Sequence, residues 1–495
     1  MEVRRISDAL KVRASHQADE IAHDDTKRQM SFAEWDREAD EIGGGLAAAG
    51  LVPGDRVFLP ISNAHAIEMA VAVFAVFRAG GIACPISTRL NAREVAEYAA
   101  LCTPRFALTD APELMKGLDL VGCWHVDDMP RDIAALPDQA SLDSQADAEI
   151  LGTSGTTGKI KGVVVSHPDL MTGVTGHNMD RSRSTLNALP LTGSGGNIGI
   201  VMLPARGGAT AITQQKFDPK GFLELAKEKQ PDLVYLVPSM LRLVLDHPDV
   251  GTYDMAGVKY LMTGTAPLPH DSVKRAAELW PHLRIRNSYG MSEGGVGIGT
   301  RSQEQVLKPG CVGKMPAHMQ IRDDDGNVVT AAGVVGEIYG WQKHQRRYWN
   351  DPEATAAGFK GGWTKTGDLG FVDEDGDLIM AGRSKELIIR GGYNITPLEI
   401  ETALHLHPAV QQAAVVGVPH EVLGEDIAAA VTLRPGTSAT PDEIVAFCRE
   451  HVADNKVPRT LVIMDSLPLN PNGKILKKEL AGPLAKAAAD RRKVA

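Results

Sequence analysis

Residues Leu151 to Val163 read Leu-Gly-Thr-Ser-Gly-Thr-Thr-Gly-Lys-Ile-Lys-Gly-Val, the mixture that an anion cradle needs. Glycines let the backbone wrap a phosphate, hydroxyls donate hydrogen bonds, and lysines supply charge. It is not a Walker loop. Five residues rather than four separate Gly152 from Gly158, and Ile160 follows Lys159 where Ser or Thr is required. Composition alone leaves two readings, a phosphate loop and a surface loop of no function.

Three further stretches carry groups able to do chemistry. Gly290-Met-Ser292-Glu293-Gly294 fits the GxSxG pattern of a hydrolase nucleophile elbow. The elbow needs a strand before it, which Leu283 to Asn287 can supply, and a helix after it. Gly294-Gly-Val-Gly-Ile-Gly299 is a poor helix start, so a hydrolase with Ser292 as nucleophile is the minor reading. Glu293, a lone carboxylate among glycines, suits a hard cation such as Mg²⁺. Farther on, Asp368 after the Thr366-Gly367 turn can accept both hydroxyls of a ribose, with Arg383 near enough to hold phosphate or ribose. Last comes Asn470-Pro-Asn-Gly-Lys474, whose plain reading is a solvated loop lysine.

The elements that position these groups follow from pattern. Ser31-Phe-Ala-Glu34 predicts a capping box opening a helix to about Ala49. Val57 to Ile61 and Gly80 to Ile86 predict strands around a helix from Ala64 to Ala79, and such alternation means parallel strands joined by crossover helices. After about residue 310, two hairpins are predicted around Asp323-Asp-Asp-Gly326-Asn and Asp373-Glu-Asp-Gly376-Asp. From Leu387 the segments shorten into a compact α+β module, with a capping box at Thr396-Pro-Leu-Glu399. The expected boundary is the charged stretch Arg383 to Glu386.

With 495 residues the chain is too long for one core. Its 62 acidic against 52 basic residues, net −10, argue against nucleic acid as a partner. Five scattered cysteines with no CxxC pair predict neither a disulfide framework nor a zinc cage. The N-terminus lacks a secretory apolar core, and the longest apolar run is short of the roughly 20 residues of a membrane span. A cytoplasmic protein without integral membrane association, monomer or dimer, is expected.

In this order, TSGTTG with its following lysines, YGMSE, Thr366-Gly-Asp368, GRSKELI with GGYNITPLEIE, and PNGK span some 320 residues by the numbering of and resemble the adenylate-forming superfamily. That superfamily holds acyl-CoA synthetases, aryl-CoA ligases, luciferases and peptide-synthetase adenylation domains; stand-alone acyl- or aryl-CoA ligases are the nearest in pattern. The resemblance implies an α/β fold, with an N-terminal adenylation domain over 1–384 that includes a β-rich subdomain. A small mobile α+β domain over 385–495 would follow. It implies ATP-dependent activation of a carboxylic acid as an acyl-adenylate, with Mg²⁺, then acyl transfer to the thiol of CoA.

Roles then carry over by position. Thr153, Ser154, Gly155, Thr156, Thr157, Gly158 and Lys161 would hold the β- and γ-phosphates. Gly264, Thr265 and Ala266, with Asn287, Ser288, Tyr289, Gly290 and Met291, would frame the adenine. Ser292 would touch the α-phosphate, and Glu293 with Thr153 would hold Mg²⁺. Asp368 and Arg383 would take the ribose, Lys385 would be the hinge, and Lys474 would stabilise the adenylating transition state. Gly391, Gly392 and Tyr393 would meet the acceptor. Thr192, Gly193, Gly196, Asn197, Gly264, Gly294 and Gly295 would line the acyl pocket.

Three departures from the pattern matter. Ile160 stands where many relatives have Pro. Pro190-Leu191 is followed by Thr192-Gly-Ser-Gly-Gly-Asn-Ile-Gly199 instead of an aromatic and a His, which implies a roomy pocket for a bulky aryl or polycyclic acid. Leu423 and Asn455 stand where aryl-CoA ligases commonly place aromatics against the CoA nucleotide. An amine or a carrier-protein thiol therefore stands beside CoA as acceptor.

Overall fold

Ser31 opens the helix Phe32–Ala48 as its spacing predicts. Its hydroxyl accepts the Glu34 N–H while Glu34 takes the Ser31 N–H at 2.8 Å. The computed structural model describes residues 3–154, 160–172, 184–469 and 475–494, in two compact units. The first comprises 1–265, 276–303 and 340–365; the second comprises 266–275, 304–339 and 366–495.

In the first unit, the helix Ala66–Ala79 is apolar apart from Glu68 and the ion-paired Arg78, and every residue from Met69 to Ala79 is buried. A helix of that kind belongs inside a core. Its Phe74 and Phe77 meet Phe32 and Trp35 of the preceding helix there, and burying each such ring is worth about 1.5–3 kcal/mol. The paired helix can approach because Gly43 has no side chain: a Cβ there would lie 2.8 Å from the Arg78 Cβ.

Two sheets hold the chemistry-bearing segments of this unit. The seven-stranded one runs Arg347–Tyr348, Ile160–Ser166, Asp147–Ser154, Ile82–Pro85, Arg56–Leu59, Phe106–Thr109, Gly122–His125. The eight-stranded one runs Gly297–Gly299, Arg284–Gly290, Tyr260–Gly264, Leu233–Tyr235, Ser184–Asn187, Thr210–Thr213, Ile21–Asp24, Gln29–Ser31. Most neighbours pair in parallel, as the alternation of helix and strand requires, while Asp147–Ser154 with Ile160–Ser166 and three of the four edge pairs run antiparallel.

The hairpin around Asp373 forms, with Trp363–Val372 antiparallel to Asp377–Arg383. The one around Asp323 is reduced. Its turn closes through Gly326 N–H to the Asp323 carbonyl at 3.0 Å, but only the single bridge Arg322 to Val328 pairs beyond it. The C-terminal module is built on strands Val410–His420 and Gly424–Leu433. Alternation sends Ala413, Val415, Ala429 and Val431 to one core, with Ile400 and Ile444 from helices Pro397–His405 and Pro441–Arg449. Ala414, Val416, Ala428 and Ala430 go to the other, against Leu480 and Leu484 of the helix Lys477–Val494.

One predicted cap does not form. Thr396 starts its helix with Pro397 at the first position but makes no side-chain cap bond. Its side chain lies over Gly382, where a Cβ would come within 3.3 Å of the Thr396 Cβ, and Glu399 is drawn to Lys456 Nζ at 2.7 Å. All five cysteines are free thiols. Among the described residues no helix is long and apolar enough to cross a membrane.

Candidate active site

The strands Asp147–Ser154 and Ile160–Ser166 form an antiparallel ribbon in which Thr153 faces Lys161 and Ser154 faces Ile160. The Thr153 hydroxyl donates toward the Lys161 carbonyl at 3.5 Å. Gly155, Thr156, Thr157 and Gly158 lie outside the described residues. The strand Arg347–Tyr348 lies on the other edge of Ile160–Ser166, with Tyr348 opposite Val163. Lys161 is therefore a diagonal neighbour on the same face as Tyr348, and its Nζ stands 4.5 Å from the centre of the Tyr348 ring.

The YGMSE stretch is a turn between strands. Arg284–Gly290, which carries Tyr289 and Gly290, leads to Met291, and the Gly294 N–H closes on the Met291 carbonyl at 3.1 Å. The chain then returns antiparallel as Gly297–Gly299. No helix follows Ser292, which removes the nucleophile elbow. Gly294 and Gly295 take φ of 73° and 76°, a region that favours glycine. A Cβ on Gly295 would lie 2.8 Å from the Gly340 carbonyl oxygen.

Two side chains that no motif announced fix this turn. Arg346 donates to the Ser292 carbonyl and pairs through Nε with Asp169 at 2.5 Å. The Tyr348 hydroxyl donates to Glu293 Oε1 at 3.0 Å. Burial, then the neighbouring Glu293 charge, pushes the Tyr348 phenol well above its ordinary value, so it stays a donor. Among the described residues Glu293 Oε2 has no hydrogen-bond partner. The Glu293 carboxylate and the Thr153 hydroxyl each offer the hard oxygen donor that Mg²⁺ takes, so their chemistry fits that ion.

Behind the turn, Asn287 is buried, its N–H donating to the Thr300 hydroxyl at 2.9 Å. Ser288 pairs with Gly264 across the sheet, and its hydroxyl donates to the Thr263 carbonyl at 2.9 Å. Thr265 has a φ of 69°, a left-handed conformation that strains a β-branched residue. Ala266 begins the next segment, in the second unit.

Of the predicted acyl-pocket residues, Gly193 turns back to the Pro190 carbonyl at 3.1 Å, just after Thr192. A Cβ on Gly196 would collide with the Pro190 carbonyl oxygen at 2.1 Å. Asn197 opens a π-helical turn, Asn197–Met202, and its amide donates to Glu149 Oε1 at 2.8 Å. Glu149 is fully buried, and that burial pushes its carboxyl up to about 7, against the pull of Asn197 and Arg346.

In the second unit, Asp368 and Arg383 face each other in the register, with Arg383 Nε 2.9 Å from Asp368 Oδ1. Lys385 is exposed in the short turn Ser384–Glu386. Gly391 and Gly392, with φ of 58° and 87°, make the two-residue turn between strands Ile388–Arg390 and Tyr393–Ile395. Tyr393 at that tip is 64% exposed, a large aromatic without burial. Lys474 lies outside the described residues. On either side of its segment, Leu469 bridges to Ile475, and Lys477 pairs with Glu386 at 2.6 Å and Glu401 at 2.8 Å.

Lys161 and Glu293 are thus brought together on one tyrosine, and Asp368 and Arg383 on one strand pair. No motif announces Tyr348, Arg346 or Glu149; the run Arg346-Arg347-Tyr348-Trp349, basic next to aromatic, is the one signal the sequence offers.

Residues 10–345 match the AMP-binding enzyme family, and residues 399–474 match the AMP-binding enzyme C-terminal domain. The chain is 31% identical over 480 residues to a long-chain-fatty-acid–CoA ligase of Mycobacterium tuberculosis, covering 92% of this chain and 93% of that one. It is 31% identical over 490 residues to a feruloyl-CoA synthase of Amycolatopsis sp, covering 95% and 96%. The crystal structure of an anthranilate CoA ligase in complex with anthranoyl-AMP is similar with a TM-score of 0.88, 25% identity, and 98% of each chain covered.

Proposed function

The chain belongs to the AMP-binding enzyme family, and from that premise we propose how its residues divide the work of an AMP-forming acid–thiol ligase. The enzyme uses ATP to convert a carboxylic acid into an acyl-adenylate and passes the acyl group to CoA. The convergence of Lys161 and Glu293 on Tyr348 carries the assignment of residues, because it joins a phosphate-binding cation to a metal-binding carboxylate.

A carboxylate is a poor acyl donor, since its leaving group would be oxide. Attack of one carboxylate oxygen on the α-phosphorus expels pyrophosphate and leaves a mixed anhydride. A thiol then attacks the carbonyl carbon, the C–O bond breaks, and AMP departs with that oxygen. Thr153 to Lys161 would hold the β- and γ-phosphates, the Ser292 hydroxyl would bond the α-phosphate, and Lys474 would offset its growing charge. Asp368 and Arg383 would bind the ribose, and Gly264 to Ala266 with Asn287 to Met291 would frame the adenine. Glu293 and Thr153 would hold Mg²⁺, which when bound neutralises phosphate charge.

One lysine suited to the first step must withdraw for the second. The C-terminal module has its own two cores, so it can turn as a body about Lys385 and offer Gly391, Gly392 and Tyr393 to the thiol. On the acyl side, a bulky aryl or polycyclic acid suits the segment after Pro190-Leu191, which lacks an aromatic and a His, better than acetate does. The test is a carboxylic-acid panel in ATP–pyrophosphate exchange, repeated with CoA and with simple amines. Exchange with aryl acids and a CoA thioester product support the proposal; exchange with acetate alone, or amide formation without thioester, defeats it.

A further inference from the structure

Tyr348 touches both groups proposed to meet the triphosphate, and it does so through different parts of one side chain. Its hydroxyl donates to Glu293 Oε1 at 3.0 Å, and its ring face lies 4.5 Å from Lys161 Nζ. The ring is itself held. Strand pairing sets Tyr348 opposite Val163, its N–H donates to the Thr355 hydroxyl at 3.0 Å, and the Phe359 ring meets it edge-on at 5.3 Å. A carboxylate free to rotate presents either oxygen; one tethered at Oε1 presents Oε2 in a fixed direction. A lysine over an aromatic face is likewise confined while its charge stays available.

We propose that Tyr348 is a positioning residue for Mg·ATP: its hydroxyl aims Glu293 at the metal and its ring holds Lys161 toward the phosphates. The proposal rests on the assignment of Glu293 and Lys161 given above. It assigns the two halves of the side chain separable jobs, one that matters only when the metal is present and one that matters without it.

The experiment is calorimetric titration of α,β-methylene ATP into the full chain, with and without Mg²⁺, for the parent, Tyr348→Phe, Tyr348→Leu, Glu293→Gln and the Tyr348→Phe/Glu293→Gln double variant. Tyr348→Phe keeps the ring and is expected to retain metal-free affinity while losing roughly tenfold of the gain that Mg²⁺ confers. Tyr348→Leu should lose that gain and, in addition, about two- to fivefold in metal-free affinity. The double variant should match Glu293→Gln, because the hydroxyl acts through the carboxylate. If Glu293→Gln abolishes the Mg²⁺ gain while Tyr348→Phe keeps it, the positioning role is wrong and the metal assignment stands. If Glu293→Gln keeps the gain, the metal assignment fails and takes the Tyr348 role with it.

Discussion

Glu149→Gln should flatten the pH dependence of stability. Glu149 is fully buried, its Oε1 takes the Asn197 amide at 2.8 Å, and its Oε2 has no hydrogen-bond partner among the described residues. Burial raises the carboxyl from 4.5 to about 7, a gap worth about 3 kcal/mol. The folded state therefore keeps a proton that the unfolded chain releases. Stability from this group is fully present below about 4.5, falls as pH rises, and is gone above about 7. Glutamine cannot ionise, so urea unfolding followed by tryptophan fluorescence at pH 5, 6, 7 and 8 should show the parent losing about 3 kcal/mol relative to the variant. Parallel pH profiles for the two proteins would refute the buried, proton-holding carboxyl.

Lys474→Ala should cut adenylate formation by roughly 10²–10³ while acyl-AMP supplied directly still yields thioester; equal failure with both donors counts against its role. Lys385→Pro fixes φ near −65°, so pyrophosphate exchange should be near normal and thioester formation largely lost, with native-like thermal unfolding. Equal losses in both half-reactions would show that Lys385 is not a selective hinge. Asp368→Ala should raise the KM for ATP roughly tenfold through lost ribose hydrogen bonds, and parental ATP kinetics would remove it from the site. Lys477→Met leaves the buried Glu401 without its ammonium and should destabilise the C-terminal module by about 3 kcal/mol, measured as a shift in the urea midpoint.

The chemistry-bearing stretches are legible in the sequence because the jobs proposed for them demand residue types. Thr153 to Lys161 needs glycine, hydroxyl and lysine together, and Gly294 and Gly295 need to be glycine because their φ is positive. The helix at Ser31 is equally legible, since both halves of its box are local. Contacts made across the chain are not. Tyr348 matters because strand pairing sets it beside Lys161, 187 positions earlier by the numbering of, and because a turn from another sheet brings Glu293 to its hydroxyl. Asn197 reads as a pocket residue, yet its amide is bonded to Glu149 inside the unit. Thr396 shows the converse: its cap motif is complete, but packing over Gly382 and the pull of Lys456 on Glu399 override it.

Attack of a carboxylate oxygen on the α-phosphorus of ATP is the step on which everything else depends, and isotope transfer follows it atom by atom. An aryl acid that supports exchange, labelled with ¹⁸O in its carboxylate, is turned over with ATP and CoA, and the nucleotide products are weighed by mass spectrometry. The account predicts AMP carrying one ¹⁸O, with pyrophosphate unlabelled. Label in inorganic phosphate, or AMP without label, would contradict it.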